Sequence, residues 1–198
     1  MSARLFLDSI GSRYRRIYVL FSSTGVTEPV FTSRSLATQG GRMDVVARAA
    51  LYSLMDIEKC RSDALFIAHL QGPPSPPKQV YIDCRKIHGR SEKEIGEVIK
   101  NELVRGVYTD ISFIHLVNII REKSEVYLLH EGGVDISRID LEAESSASTF
   151  IVGDQIGFPQ RLERELFSLC KPVSIGRKVY LASHVILYLN EFLDRLMV

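Results

Sequence analysis

The sequence predicts an α/β domain with a largely parallel C-terminal sheet. Three segments in the last third of the chain lead there: VYLLHEGG at 126–133, TFIVGDQIG at 149–157 and PVSIGRKVYLASHV at 172–185. In each, a short apolar run ends in Gly, Asp or Ser and is followed by a loop or a helical pattern. Ligands of α/β sheets bind at such strand ends. Three of them close together in sequence point to one ligand cradled by three loops.

The other elements follow in chain order. RRIYVLF at 15–21 is short, apolar and rich in β-branched or aromatic residues, so it reads as a buried strand. Residues 22–41 are rich in Ser, Thr and Gly and include Pro29. They read as a long loop, and such loops in compact domains are usually functional or mobile. Val45, Val46, Ala49, Leu54 and Met55 give helical spacing over 42–58. ALFIAHL at 64–70 and KQVYIDC at 78–84 read as strands. Pro73, Pro74, Pro76 and Pro77 between them forbid helix and ladder alike, and the connection is short enough for an antiparallel pair.

Ser91 and Glu94 carry a capping-box signature ahead of a helix with Ile95, Val98, Ile99 and Leu103 on one face. A further helix is expected over 111–122. The three late strands are separated by a polar, acidic loop at 131–148 and by a helix at 158–170. That helix has Pro159 near its first turn and Leu162, Leu166 and Leu169 facing inward. A final helix over 180–196 carries Leu181, Val185, Leu189, Phe192 and Leu196.

The composition describes an ordinary soluble chain of 198 residues, 45% hydrophobic and 25% charged. The net charge of +1 gives no global basic field, but Arg4, Arg13, Arg15, Arg16, Arg34, Arg42 and Arg48 cluster early. Such a cluster serves either a polyanion or plain solvation. Cys60, Cys84 and Cys170 are odd in number and widely spaced, which argues against a disulfide framework and fits a cytoplasmic protein. No apolar run approaches membrane-spanning length. The five histidines form no metal-binding motif, so no metal is expected. His69, His130 and His184 are more simply read as satisfied core residues.

GGRMDVVARAA (40–50), QGPPSPPKQVYI (71–82), YLLHEGG (127–133), FIVGDQIGFP (150–159) and SIGRKVYLASHVILYLNEFLD (174–194) stand in an order and spacing that resembles the archaeal tRNA pseudouridine N1-methyltransferases. These are SPOUT-superfamily enzymes. The resemblance covers 15–198 as one domain, with a C-terminal trefoil knot over about 126–198. Residues 1–14 are left as an extension, open to being an extra strand, an RNA-contacting arm or disorder.

The resemblance implies S-adenosyl-L-methionine as cofactor, held by Leu129, Gly153, Asp154, Gly157 and the loop containing Ser174, Ile175, Gly176 and Val179. Ile175 and Leu181 are expected to wall the adenine slot, and glycines let the main chain come close. The implied reaction is methyl transfer to N1 of pseudouridine 54 in the tRNA T-loop. That imide nitrogen carries a proton, which a carboxylate within reach can take. Asp44 is the candidate base and Arg42 the candidate contact to phosphate or uracil carbonyl. Arg48 lies one turn further along the same helix face. Arg15, Arg16, Arg42 and Arg48 are the expected RNA contacts. A structural Arg–Asp pair at a helix start is the plain alternative for Arg42 and Asp44.

Asn190 and Asp194 match the family pattern and are expected to pair across a homodimer. Val185 stands where members often carry Cys. Three other functions stay open: methylation of ribosomal pseudouridine, methylation of a ribose hydroxyl, and a non-catalytic knotted RNA-binding protein.

Overall fold

Strand β1 (Arg16–Ser22) is buried at every position, and so is β2 (Ala64–Leu70). A strand with both faces buried needs a covering layer on each side of its sheet. In the computed structural model, described over residues 3–106, 108–141 and 147–196, helices supply both layers.

The remaining strands are β3 (Lys78–Ile82), β4 (Tyr108–Thr109), β5 (Glu125–Asp135), β6 (Ser148–Gly153) and β7 (Lys171–Ser174). They form one seven-stranded sheet in the order β4-β3-β2-β1-β6-β5-β7. The pairs β1–β2, β1–β6, β5–β6 and β5–β7 are parallel. The pairs β2–β3 and β3–β4 are antiparallel, as the short proline-rich connection predicts. The segment assigned to the knot thus places β5, β6 and β7 side by side.

One face carries α2 (Met43–Leu54), α3 (Glu92–Arg105) and α6 (Ala182–Leu196). Tyr18, Phe150 and Tyr127 stack beneath them with centroids 5.8 and 5.4 Å apart. Burying one such ring contributes roughly 1.5–3 kcal/mol. The other face carries α1 (Ala3–Asp8), α4 (Phe113–Arg121) and α5 (Gln160–Leu169). The Ser91–Glu94 capping box is formed in full. Leu166 is the fully buried residue of α5, with Leu162 and Leu169 partly buried.

Several expectations need correction. α2 ends at Leu54 rather than 58, because Met55 turns extended and bridges to Cys60. α6 begins at Ala182, not 180. The cysteine count misled: Cys60 and Cys84 are disulfide-bonded, since the loop after α2 and the end of β3 meet there, and Cys170 is free and buried. Residues 142–146 of the predicted acidic loop lie outside the described residues. Its first part continues β5, with a register shift between Leu129 and Val134.

The N-terminal segment is a helix and turn that packs onto the sheet. Phe6, Leu7, Ile10 and Tyr14 are buried. The Tyr14 hydroxyl donates to buried Asp83 at 2.7 Å and accepts from Arg85 at 2.7 Å.

Asn190 and Asp194 are engaged within the chain rather than held out for a second copy. Tyr18 donates to Asn190 at 2.7 Å, and Asn190 donates to the Tyr52 carbonyl at 2.7 Å. Asp194 receives Arg16 at 2.5 Å and both terminal nitrogens of Arg61 at 2.8 and 2.7 Å. This cluster fastens the last helix to the N-terminal end of β1.

Candidate active site

Because β1, β5, β6 and β7 run parallel, their C-terminal ends emerge along one edge of the sheet. A cleft opens there. Leu129 and His130 come from β5, and Gly153, Asp154 and Gly157 from the end of β6 and its following turn. Ser174, Ile175, Gly176 and Val179 come from the end of β7 and its loop, with Ala182 and Val185 from α6 behind them. Nine cofactor positions were inferred, and eight of them line this one cleft. The exception is Leu181, which is 54% exposed and is not among the lining residues. Its carbonyl instead accepts the N–H groups of His184 and Val185 at the start of α6. Val185, at the position where family members often carry Cys, presents a buried apolar side chain to the cleft.

The glycines fit a ligand held by main chain. A Cβ on Gly153 would stand 3.1 Å from the Gly157 Cα, so the two turns of backbone are in contact. Gly157 has φ of 82°, a left-handed conformation that a side chain disfavours by about 1–2 kcal/mol. A Cβ there would meet no protein atom within 4 Å and would project into open space. The apolar floor of Leu129, Val152, Ile175 and Val185 suits a flat heteroaromatic ring. These residues fit S-adenosylmethionine.

Asp154 ties the cleft to β1. It accepts the Ser23 backbone N–H at 2.6 Å, the Ser23 hydroxyl at 3.1 Å and the Ile156 N–H at 2.9 Å. Ser23 opens the long loop of residues 23–42, which is firmly held. Thr27 donates its N–H to the Pro73 carbonyl at 2.9 Å, and Ser75 donates to the Thr27 hydroxyl at 2.9 Å. The proline segment is therefore a clamp for this loop. Gly41 and Gly72 both press on Thr24, where a Cβ would come within 2.0 and 2.3 Å of its carbonyl oxygen.

The loop delivers Arg42 to the start of α2. Arg42 has φ of 67°, and no other non-glycine among the described residues has a positive φ. Its Nε and one terminal nitrogen donate to the two oxygens of Asp44 at 3.0 and 3.1 Å. Burial alone would raise the Asp44 pKa. The hydrogen bonds and charge of Arg42, with the charge of Arg48, outweigh it and hold the carboxyl below its ordinary value. Asp154 adds a minor charge contribution at Arg42, and neither Arg42 nor Asp44 is among the residues that line the cleft. Arg48 is turned to Glu92 on α3, in a two-pronged bond of 2.6 and 3.0 Å.

The expected RNA arginines are divided. Arg42 lies at the start of α2 and Arg48 halfway along that helix. Arg15 and Arg16 lie at the N-terminal end of β1, about 20 Å of strand from its C-terminal end. Arg15 is exposed there, whereas Arg16 is 5% exposed and committed to Asp63 and Asp194, which removes it from any RNA surface.

The histidines also separate. His69 is buried, His184 is exposed on α6, and His130 lines the cleft with its ring 3.8 Å from Glu131 and Glu163. Glu163 and Ser23 were not anticipated. Ser23 was within reach of the strand-end rule, since it follows β1. Glu163 lies on a helix whose approach to β5 only the fold reveals. Among the described residues no cluster of three or more His, Cys, Asp or Glu could hold a metal, and no helix is long and apolar enough to cross a membrane.

Comparisons with known proteins agree with this geometry. The family model for SAM-dependent RNA methyltransferases matches residues 15–198. The tRNA (pseudouridine(54)-N(1))-methyltransferase of Thermococcus kodakarensis is 30% identical, over 90% of this chain and 98% of that one. The Pyrococcus abyssi enzyme of the same name is 29% identical, over 91% and 98%. Among solved structures, Archaeoglobus fulgidus Nep1 bound to S-adenosylhomocysteine superposes with a TM-score of 0.65 at 15% identity, covering 92% of this chain and 98% of that one. That match bears on the fold alone. With its fold, its glycine-lined cleft and a family match over nearly the whole chain, the protein belongs to the SAM-dependent RNA methyltransferases, in the group of the archaeal tRNA (pseudouridine(54)-N(1))-methyltransferases.

Proposed function

We propose that this protein methylates N1 of pseudouridine 54 in the tRNA T-loop, using S-adenosylmethionine. One observation carries the catalytic assignment: Asp154 of the glycine-lined cleft is hydrogen-bonded to Ser23, which opens the loop that delivers the Arg42–Asp44 pair. The names of the relatives support the substrate.

When bound, S-adenosylmethionine supplies a methyl group activated by a sulfonium. Leu129, Gly153, Gly157 and the 174–179 loop would hold it, with Ile175 and Val185 supplying apolar lining that keeps water out. Asp44 accepts the N1 proton of pseudouridine, which becomes far more acidic as the N1–carbon bond forms and the sulfur–carbon bond breaks. Arg42 contacts a phosphate or a uracil carbonyl with its planar fork. Arg48, held by Glu92, adds positive potential beside the base. Arg15 is too far from this edge to share a nucleotide with Arg42. If it contacts the tRNA, it does so elsewhere on that molecule.

A second copy of the chain is part of this reading. Ile156, Val179, Tyr180 and Leu181 expose apolar surface around the cleft mouth, and Leu187 and Tyr188 do so on α6. Together they favour a homodimer that closes the cleft. An enzyme acting on tRNA works in the cytoplasm.

The test is methyl transfer from labelled S-adenosylmethionine to two tRNA transcripts that differ only in uridine or pseudouridine at position 54. Product nucleosides are identified by mass spectrometry. N1-methylpseudouridine from the second transcript alone is the expected result. Transfer to uridine would point to a ribose hydroxyl and sink the N1 assignment. Turnover undiminished in Asp44→Asn would remove Asp44 as the base.

A further inference from the structure

We propose that Arg42 is a substrate-operated clamp on Asp44: it masks the carboxylate in the free protein and releases it when an RNA phosphate takes the guanidinium. The inference rests on the reading of Asp44 as the base and adds how that base is controlled.

The clamp occupies both oxygens of Asp44, using two nitrogens of one guanidinium. In this state one lone pair on each oxygen is engaged beside a positive charge, and the carboxylate accepts a proton poorly. The side chain of Arg42 is 45% exposed while that of Asp44 is 16% exposed. The arginine is therefore reachable from solvent and the carboxylate largely is not. Arg42 occupies the N-cap position of α2 but makes no capping bond with its side chain, so the helix does not need it there. Its left-handed backbone sets its side chain back over the first turn, onto a residue two positions ahead.

An ion pair whose arginine side is open to solvent is screened there and exchanges its partner more easily than a buried one. A phosphate offers the same fork geometry with a stronger acceptor set. RNA binding at this edge and unmasking of the base are then one event, so Asp44 becomes a competent base only once the nucleotide whose proton it takes is present.

Arg48 could defeat the device by replacing Arg42 on Asp44, since its charge already acts there. Glu92 prevents this. It engages Nε and a terminal nitrogen of Arg48 from α3. The charged groups around Asp44 are thus Arg42 and Arg48 on its own helix, Glu92 behind Arg48, and Asp154 acting on Arg42 from the cleft. Glu92 is a positioning residue in this scheme.

The test follows the carboxyl carbon of Asp44 by NMR in aspartate-labelled full-length protein, titrated with pH. Samples are the free protein and its complex with S-adenosylhomocysteine and a T-arm stem-loop RNA carrying one pseudouridine. The Asp44 midpoint should rise on RNA binding. In Arg42→Ala it should already be raised without RNA, and RNA should move it little. In Glu92→Gln, Arg48 is free to take over. The midpoint should stay low with RNA bound, and kcat should fall by about tenfold with KM for RNA unchanged, the scale of one charge-assisted bond. An Asp44 midpoint that stays put or falls in the wild-type complex overturns the clamp, whatever the variants do. Failure of the base assignment looks different: Asp44→Asn then keeps its turnover, while the midpoint shift in the wild type is still observed.

Discussion

Asp154 holds Ser23 by two contacts at once, taking its backbone N–H at 2.6 Å and its hydroxyl at 3.1 Å. One carboxylate thereby joins the turn after β6 to the loop that carries Arg42. The cofactor cleft is built on β5, β6 and β7 and the candidate base on α2, and this bond ties the turn after β6 to the loop that leads to α2.

Removing that carboxylate should cost both stability and binding. For Asp154→Ala the expected loss is about 2 kcal/mol, seen as a melting point lower by roughly 4–8 °C. Affinity for S-adenosylmethionine, measured by calorimetry, should fall by about tenfold or more. Asp154→Asn keeps one acceptor oxygen and should fall between. Wild-type affinity in the alanine variant would mean that the bond is ornamental to the site.

Gly157 makes a sharper distinction. Its φ of 82° disfavours any side chain, and a Cβ there would touch no protein atom. Gly157→Ala should therefore lose only about 1–2 kcal/mol of stability. Cofactor affinity should suffer more, because the new methyl group occupies the cleft itself. Equal losses in stability and binding would place the Gly157 surface outside the ligand site.

The sequence made the strands and the glycine loops legible because both depend on local rules. Apolar runs of seven residues make β1 and β2, and Gly157 and Gly176 mark turns that only a bare backbone enters easily. What it concealed depends on distance through the fold. Arg16 and Arg42 are both arginines in an early basic cluster, yet one is buried beneath α6 and the other stands at the start of α2. Asn190 and Asp194 find partners 172–178 residues away, within the same chain. Cys60 and Cys84 carry no spacing that announces a pair, and Met55 ends its helix without Gly or Pro.

The disulfide between Cys60 and Cys84 closes a loop of 24 residues' separation, between the end of α2 and the end of β3. It lies at the far end of α2 from Arg42 and Asp44. Replacing both cysteines by serine should cost about 3 kcal/mol, a melting point lower by roughly 6–12 °C. A reductant on the wild type should act in the same direction. Below the melting transition, kcat per folded molecule should be unchanged. A large drop in kcat at low temperature would show that the bond positions the catalytic end of α2 as well.

His69 provides a prediction with a definite sign. It is fully buried, stacked on Phe21 at 5.6 Å and met edge-on by Phe113 at 4.8 Å. The amides of Gln71 and Gln79 each approach one ring nitrogen at 2.7 Å. Gln79 also donates to the Ile111 carbonyl and accepts from Thr109 and Ile111, which fixes its amide group with the NH2 toward His69. Nδ1 is then an acceptor, and the imidazole is neutral with its proton on Nε2, a tautomer in which the Gln71 amide turns its oxygen to the ring to accept that proton. Burial lowers its pKa from 6.5 to about 3. The unfolded chain takes up a proton near pH 6.5, and the folded chain does not until near pH 3. Between those limits the unfolded state binds more protons, so this group's contribution is complete above pH 6.5 and is lost as pH falls. The slope is about 1.4 kcal/mol per pH unit. Denaturant unfolding at pH 7 and at pH 4.5 should show a larger loss in the wild type than in His69→Gln, which carries no such proton. Equal losses in the two proteins would mean that His69 is protonated in place and that its amide partners rearrange to accept the charge.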